Sequence, residues 1–403
     1  MRIRKTTRIV TAAGACCLTA AVAVAVGGGA AHAAAATATA GSSATATAGW
    51  SAGTGRASAT PRSIDYVTNG ELSGVAATSA GNAWAVGHTG TLANSKTLIL
   101  HWNGKAWARS AGFTPVAGAL SGIAAVSASS AWAVGYTGSD LAQRTLLMHW
   151  NGKAWATVAA VKPVEGAFTA VTATAKYAWV AGATSSAQLG FWPQSLVWHW
   201  NGRAWAKTKT PTVIEGAYPD GFAVTGADSV WLSGLGNVNA QISGMLMHWN
   251  GRSWSLANYP LYGLYEQLNG MAAGPEGTAW AVGTNTGTSP GTISMRYNGR
   301  AWVKTSGPAN GSTSNFDAVA AIPGGTAWAV GNTHHGFTDA TVVARWTGKA
   351  WARVASPTPA GGGQLTEVAA SSTGNAWAVG FADNIKTNVT KTLILHWNGK
   401  TWS

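Results

Sequence analysis

Apolar and polar residues alternate with a period of two through short runs along most of the chain, and clusters of Gly, Asn, Ser and Thr separate the runs. Such alternation predicts β-strands, because successive side chains of a strand point to opposite faces. In one run, Leu98, Leu100 and Trp102 face one way while Ile99 and His101 face the other. No stripe with the 3.6-residue period of a helix follows the N-terminal segment, so the pattern predicts an all-β protein.

One strand-turn-strand pattern returns seven times and sets the spacing of the chain. An Asn-Gly pair between two β-favouring runs is a strong hairpin signal, and it predicts a two-residue type I′ turn with positive φ at both central residues. The copies begin at His101, His149, His199, His248, Arg296, Arg345 and His396, and each ends on Trp six residues later.

A second recurring piece precedes each hairpin, and its central Trp gives the period. The steps between these Trp are 48, 47, 52, 49, 48 and 49 residues, and the residues are Trp84, Trp132, Trp179, Trp231, Trp280, Trp328 and Trp377. In the first repeat, strand-like runs cover 74–78, 83–87, 97–102 and 105–110. Four runs in a period of this length are typical of propeller blades. We therefore predict a seven-bladed β-propeller of four-stranded antiparallel blades, with 28 strands and repeats of about 48 residues.

Tryptophan is concentrated in the repeats. Three recurring positions hold 20 of the 23 Trp, and Tyr297 fills the one gap. A buried aromatic side chain removes roughly 150 to 250 Å² from water, which contributes about 4 to 6 kcal/mol of gross apolar burial. We predict that these side chains pack between blades and do not stack on a ligand.

The first 33 residues have the features of a secretory signal peptide. Four cations precede an apolar run, and Ala31-His32-Ala33 is a small-residue cleavage signal. A retained membrane anchor is the alternative, although the run is barely long enough to span a bilayer. Residues 34–62 are rich in Ala, Thr, Ser and Gly, and this composition predicts a disordered leader. Residues 63–403 are predicted to form the propeller. The expected product is secreted, extracellular or associated with the cell wall, and free of the membrane after cleavage.

Metal and thiol chemistry are not expected. Cys16 and Cys17 both lie in the signal segment, so the mature chain has no cysteine for a disulfide, a thiolate site or a galactose oxidase-like copper site. Arg296 and Arg345 replace the strand histidine in two repeats, and equivalent positions on successive blades lie too far apart to share an ion at about 2.0 to 2.1 Å. We expect histidines that face solvent or form hydrogen bonds, no metal and no cofactor.

The mature chain is basic. Four of the 26 Lys and Arg leave with the signal peptide, so 22 remain against 13 acidic residues, a net charge near +9. One cation follows the turn Gly of each repeat: Lys105, Lys153, Arg203, Arg252, Arg300, Lys349 and Lys400. This ring of charges serves either solubility or docking of an anionic cell-wall polymer. No aromatic platform interleaves with the cations, so nucleic acid is not an expected partner.

Residues 104–107, Gly-Lys-Ala-Trp, resemble part of the Asp-box (BNR) motif on the turn between the third and fourth strands of sialidase-type and sortilin-type propellers. Trp102 stands two residues before the Gly where that motif has Asp, so sialidase chemistry is not implied. The period and the Trp-rich third strand are similar to tectonin-like propeller lectins, and the chain also resembles secreted propeller proteins of actinobacteria. The resemblance covers about 330 of the 403 residues and implies the fold.

Ligand recognition is expected where the repeats differ. The loops between strands two and three and between strands four and one vary in length and aromatic content, whereas the Asn-Gly turns are nearly the same in each repeat. Aromatic rings beside carboxylates are typical of carbohydrate sites, although these loops could also simply cap the blades. We predict a non-catalytic, lectin-like site for a glycan or cell-wall polymer at Phe191, Trp192, Tyr262, Tyr265, Glu215 and Glu266.

A glycoside hydrolase or lyase is the alternative function. Asp317 and Glu367 open the first strands of adjacent blades, where they could form a carboxylate pair at the axial mouth. The chain has only 13 acidic residues and no Ser-His-Asp, metal-ligand or phosphate-loop spacing, which favours a binding protein. The propeller is expected to be a monomer, with residues 56–62 helping to close the ring beside the last repeat.

Overall fold

The computed structural model describes residues 68–139, 142–185, 193–211, 214–238, 241–262, 265–287, 290–308, 314–322, 324–335, 338–384 and 389–403. In these ranges the regular structure is β-strand, apart from two short 3₁₀ turns at Leu92–Asn94 and Pro275–Gly277. The strands form seven antiparallel blades in a ring, which confirms the predicted all-β seven-bladed propeller. The predicted signal peptide and leader lie outside the described residues.

The first strands of neighbouring blades contact one another all the way round, so the first strand of each blade is the innermost. The strands of blades 1 to 4 are β1 (Gly70–Ser79), β2 (Asn82–Thr89), β3 (Lys96–Trp102), β4 (Trp107–Arg109), β5 (Gly118–Ser127), β6 (Ser130–Thr137), β7 (Arg144–Trp150), β8 (Trp155–Thr157), β9 (Ala167–Ala173), β10 (Ala178–Ala183), β11 (Ser195–Trp200), β12 (Trp205–Thr208), β13 (Ile214–Gly226), β14 (Ser229–Val238), β15 (Gln241–Trp249) and β16 (Trp254–Leu256). Those of blades 5 to 7 are β17 (Glu266–Ala273), β18 (Ala279–Asn285), β19 (Gly291–Tyr297), β20 (Trp302–Lys304), β21 (Ser314–Ile322), β22 (Thr326–His335), β23 (Thr338–Trp346), β24 (Trp351–Val354), β25 (Gln364–Ser372), β26 (Asn375–Asn384) and β27 (Val389–Trp397).

Blade 7 closes onto blade 1 through both ends of the described chain. Its fourth strand is reduced to Trp402, which bridges Trp397, and to Ser403, so 27 of the predicted 28 strands are formed in the described ranges. The amide of Thr392 donates to the carbonyl of Thr68 at 2.9 Å, as Thr97 does to Val116 between blades 1 and 2. The residues around Thr68 therefore replace the connection that other blade pairs have. The predicted closing residues 56–62 lie outside the described residues.

The Asn-Gly turns have four residues, and the prediction of a two-residue type I′ turn is wrong. Trp102 pairs directly with Trp107, so residues 103–106 form the turn, and of these only Gly104 has positive φ, at 89°. The Asn103 side-chain oxygen accepts the amides of Lys105 and Ala106, both at 3.0 Å. These two bonds stabilise the longer turn without a left-handed Asn, and they also make the fourth strand shorter than predicted.

The Trp residues pack between blades, as predicted. Each second-strand Trp contacts the third- and fourth-strand aromatic residues of the next blade, and Tyr297 fills its predicted place against Trp231, 4.7 Å between centroids. The second-strand Trp are all buried, with at most 9% of their surface exposed. Seven such clusters repeat round the ring and form most of its core.

The recurring strand His and Arg lie over these Trp. His101 stacks on Trp84 with centroids 3.9 Å apart, and its Nε2 is 2.8 Å from Asn82 Oδ1. Arg296 lies over Trp280 at 5.6 Å in the same position of blade 5. Burial lowers the pKa of His101, so the imidazole is neutral near pH 7. The hydrogen-bonding role predicted for the histidines is confirmed here.

Candidate functional site

The ring has two chemically different faces. The indole nitrogen of Trp102, beside the third-to-fourth strand turn, donates to the carbonyl of Ala80 in the first-to-second strand turn at 2.9 Å, so these two turns share one face. We call it the turn face. The opposite face carries the second-to-third strand loops and the connections between blades, and we call it the connection face.

The second-to-third strand hairpins of the connection face differ in the length of their strand pairing. In blades 4, 6 and 7 the pairing of the second and third strands continues to Val238–Gln241, His335–Thr338 and Asn384–Val389. In blade 5 the pairing stops at Asn285–Gly291. Counted from the Gly that recurs in every second strand, Gly283 in this blade, the pairing is two residue pairs shorter. At about 3.4 Å per residue, the paired part of the hairpins of blades 4 and 6 is about 7 Å longer than that of blade 5. The second-to-third strand loop of blade 5 is therefore flanked by two longer paired β-hairpins.

The connection from blade 4 to blade 5 is held by hydrogen bonds at several points. The hydroxyl of Tyr259 donates to the Gly244 carbonyl at 2.8 Å. The amide of Tyr262 donates to a carboxylate oxygen of Glu266, and its hydroxyl donates to the Ser294 carbonyl. Asn285 donates from its side-chain nitrogen to the Tyr262 carbonyl at 3.1 Å. The loop is thereby held against the second and third strands of blade 5.

Tyr265 is the exposed aromatic residue of this loop. Its side chain is 59% exposed, and its φ of 59° lies in the left-handed region, which is costly for a bulky residue. Thr286 holds this conformation because its amide and its hydroxyl both donate to the Tyr265 carbonyl at 3.3 Å. Leu261, 63% exposed, belongs to the same loop. The chain thus fixes an aromatic ring in a solvent-facing position.

The other predicted ligand residues are placed differently. Glu266 is fully buried, and its carboxylate holds the loop from inside. Tyr262 is half-buried, with Lys304 Nζ 4.4 Å from the centre of its ring, and burial raises its pKa to about 12. Glu215 lies in β13 opposite Asn237. Phe191 and Trp192 lie outside the described residues.

Asp317 and Glu367, the alternative catalytic pair, lie on adjacent inner strands. Asp317 accepts from Asn315 Nδ2 and from Gln364 Nε2, both at 3.0 Å. Burial raises the pKa of Asp317 to about 7. Burial, and secondarily the charge of Asp317, raise the pKa of Glu367 to about 8. The charge of Asp317 therefore acts on Glu367. Near pH 7 the carboxyl group of Asp317 is partly protonated and that of Glu367 is largely protonated.

Two further carboxyl groups lie on the inner strands β1 and β13, where the sequence pattern alone did not place them. Burial raises the pKa values of Glu71 and Asp220 to about 8. The sequence spacing indicates an Asp–Gln pair between adjacent inner strands, because Asp220 and Gln267 are 47 residues apart, as are Asp317 and Gln364. Each inner strand has a bulge, and in blades 3, 5, 6 and 7 a polar residue at the bulge bonds to the next blade. The side-chain nitrogen of Asn269, for example, donates to the Phe316 carbonyl at 2.9 Å.

No three His, Cys, Asp or Glu side chains in the described ranges come together in a way that could hold a metal ion. No helix in them has the length and apolar character needed to cross a membrane.

Comparison with known proteins identifies the fold and no closer relative. No protein-family model and no curated protein sequence matches the chain. Among solved structures, the β-propeller domain of the Trilobed protease from Pyrococcus furiosus, described as having an open velcro topology, aligns at TM-score 0.52 and 8% identity, covering 84% of this chain and 96% of that one. Pyrococcus horikoshii acylaminoacyl peptidase aligns at 0.52 and 9% identity over 83% of this chain. A chain described in a structural and mechanistic analysis of two prolyl endopeptidases aligns at TM-score 0.50 and 14% identity, covering 84% of this chain.

The chain spans about half the length of the acylaminoacyl peptidase and prolyl endopeptidase chains, 52% and 48%. At these identities the likeness shows a propeller and says nothing of peptidase activity in this protein.

Proposed function

We propose that this protein is a non-catalytic binding propeller that recognises carbohydrate on its connection face, over blade 5. The observation that carries the proposal is Tyr265, an exposed ring held at a costly backbone angle by two hydrogen bonds from Thr286. Local strain of this kind persists where the surrounding structure enforces it, and it is concentrated at functional sites. A flat, pre-positioned aromatic face is the feature on which a sugar ring stacks.

The surroundings of Tyr265 fit an elongated ligand. The hairpins of blades 4 and 6, whose strands pair over a greater length, flank the hairpin of blade 5. The hairpin of blade 6 carries an exposed polar pair, with His334 Nδ1 2.5 Å from Asp339 Oδ1. Hydroxyl groups of a bound saccharide would find hydrogen-bond partners on such a wall while its ring packs on Tyr265. Because Glu266 is buried, it supports the loop and does not contact the ligand.

A glycan array tests this proposal. The folded propeller is expected to bind a defined set of saccharides, and Tyr265→Ala should lose the signal while Tyr265→Phe keeps it, because the ring face is the contact. Tyr177, on the turn face, provides the matched aromatic control, and Tyr177→Ala should bind as the unaltered protein does. Equal binding by Tyr265→Ala would remove the assignment of this loop.

We also propose that the protein is exported, because residues 1–33 combine a basic start, an apolar run and the Ala31-His32-Ala33 signal. N-terminal sequencing of material from the culture medium is expected to begin near Ala34. Recovery of the full-length chain in the membrane fraction would instead support the retained anchor.

A second candidate function, cleavage of a glycosidic bond, is favoured by one specific observation. Burial raises the pKa values of Asp317 and Glu367 to about 7 and about 8, and the charge of Asp317 contributes to the shift of Glu367. A pair of this kind can hold one proton and one charge, as general acid and base require. Release of reducing sugar that disappears in Asp317→Asn and in Glu367→Gln would establish this function. We favour binding because both Asp317 oxygens already accept side-chain hydrogen bonds.

A further inference from the structure

The turn face presents all seven turn cations to solvent in one repeated geometry. Each of them is exposed. In six blades the turn Asn accepts the amides of the cationic residue and of the next residue at 2.9 to 3.0 Å, and blade 6 has Thr347 instead. In the described part of the chain, none of these cations forms an ion pair with a carboxylate. Their charge is therefore available to an external partner.

Negative charge interrupts this ring on one side only. Asp228 and Glu276, both exposed, occupy the first-to-second strand turns of blades 4 and 5. Asp228 lies against the third-to-fourth strand turn of the same blade, since a Cβ atom built at Gly251 would be 2.9 Å from the Cβ atom of Asp228. The described turns of blades 6, 7, 1, 2 and 3 contain no carboxylate, and Lys176 adds a cation there. We call this stretch the cationic arc; it consists of Lys349, Lys400, Lys105, Lys153, Lys176 and Arg203.

We propose that the cationic arc binds a flexible linear polyanion with a phosphate group in each repeat unit. Packed sheets lie about 10 Å apart, so cations on neighbouring blades are too distant to share one phosphate. A polymer that follows the arc can neutralise them one after another, and the linked contacts add up. Five of the six cations are Lys. A Lys ammonium group interacts with phosphate as a point charge, whereas the Arg guanidinium group forms bidentate hydrogen bonds.

Two other anionic partners fit the surface less well. A membrane needs apolar side chains beside the cations, and the exposed large apolar residues among those described lie in connections and outer strands: Val116, Leu256, Leu261, Tyr265 and Val303. Single-stranded nucleic acid needs free aromatic faces. The Trp nearest the turns are engaged, because Trp102 packs on Trp107 and Trp377 with centroids 6.0 and 4.9 Å away.

The test measures binding of long-chain polyphosphate to three forms of the propeller. The arc variant carries Lys400→Glu, Lys105→Glu and Lys153→Glu. The rim variant carries Arg109→Glu, Lys207→Glu and Arg353→Glu, which changes the net charge equally at exposed positions of the fourth strands. We expect the arc variant to lose at least about tenfold in affinity and the rim variant less than about threefold. Binding should also weaken with salt, with a slope that grows by roughly 0.7 to 0.9 per engaged phosphate.

Three outcomes would overturn the proposal. Equal losses in both variants would mean that net charge alone attracts the polymer. Binding to phosphatidylglycerol vesicles as tight as to polyphosphate would indicate a membrane surface, and binding to oligo-dT more than about tenfold tighter would indicate base stacking. This inference goes beyond the proposed carbohydrate function, and the arc variant should still bind the saccharides of the array, so the two claims fail separately.

Discussion

The ring of Trp377 in blade 7 lies 5.1 Å from that of Trp107 in blade 1, with the planes at 87°. The same edge-to-face contact joins Trp84 to Trp155, 5.5 Å and 87°, between blades 1 and 2. The interface between blades 7 and 1 thus has the same aromatic packing as the interface between blades 1 and 2, which follow each other in the chain. Side chains 270 residues apart close the ring, together with the hydrogen bond from Thr392 to Thr68 and the β-bridge between Asn69 and Lys391.

Replacing the buried Trp377 by Ala is expected to destabilise the fold by about 3 to 5 kcal/mol, the usual cost of a large core aromatic. Trp132→Ala, at the equivalent position between blades 2 and 3, is the matched control and should cost a similar amount. Urea unfolding followed by Trp fluorescence measures both. A loss below about 1 kcal/mol for Trp377→Ala alone would show that the last joint is not packed like the others.

The place of His101 over Trp84 should accept arginine. Arg345 lies over Trp328 at 5.6 Å in blade 6, where Thr326 replaces the Asn82 of blade 1. We expect His101→Arg to change the free energy of unfolding by less than about 0.5 kcal/mol, and His101→Ala to cost about 1 kcal/mol through the lost stacking and hydrogen bond. If both variants are equally destabilised, the His and Arg positions are not equivalent.

Tyr265→Gly should stabilise the protein while removing ligand binding. Glycine adopts a φ near 59° freely, so the substitution relieves backbone strain worth on the order of 1 kcal/mol but deletes the ring. Glu276, with a φ of 55° on the turn face, supplies the control. Glu276→Gly should gain stability similarly and keep full binding. A Tyr265→Gly variant that is less stable than the unaltered protein would mean that the ring contributes to packing, contrary to its exposure.

Stability should fall as pH rises from about 6.5 to about 8. The carboxyl groups of Glu71, Asp220, Asp317 and Glu367 have folded-state pKa values of about 7 to 8. Their unfolded values are near 4, so in this window the folded state holds more protons than the unfolded state, and the free energy of unfolding falls with rising pH until those protons have left. Above pH 8 the dependence should flatten. Below about 6.5 the buried histidines, whose pKa values burial lowers, oppose the trend.

Asp220→Asn isolates this effect. It removes one of the four titrating groups, so the decline in unfolding free energy between pH 6.5 and 8 should become shallower. Glu165→Gln, at an exposed position, should leave the slope unchanged. An unaltered protein whose stability is constant or increases over this range would contradict the protonated state of the inner carboxyl groups.

Much of the fold was predictable because each blade repeats one local pattern. The seven Trp84-type residues gave the period, and the alternation in residues 97–102 gave the strands. The turn type was not predictable from the Asn-Gly pair alone, since it depends on whether the Asn103 side chain bonds to the amides of Lys105 and Ala106. A local sequence rule does not contain that choice.

The candidate site was predictable only in part. Composition pointed to the loop between blades 4 and 5, where Tyr265 is exposed. It could not distinguish Tyr265 from Glu266, the next residue, which turns inward to hold the loop. That difference arises from long-range bonds, such as those of Asn285 and Thr286 to the loop backbone. The inner acid at Asp220 likewise depends on the position of a bulge.

Calorimetric titration of the best array saccharide tests the central claim most directly. The titration compares the unaltered propeller with Tyr265→Ala at about 50 mM and about 500 mM salt, a range over which exposed charge interactions are strongly screened. The carbohydrate account predicts an affinity that is nearly independent of salt and is abolished by Tyr265→Ala. An affinity that survives this substitution and falls steeply with salt would contradict the account and move recognition to the turn face.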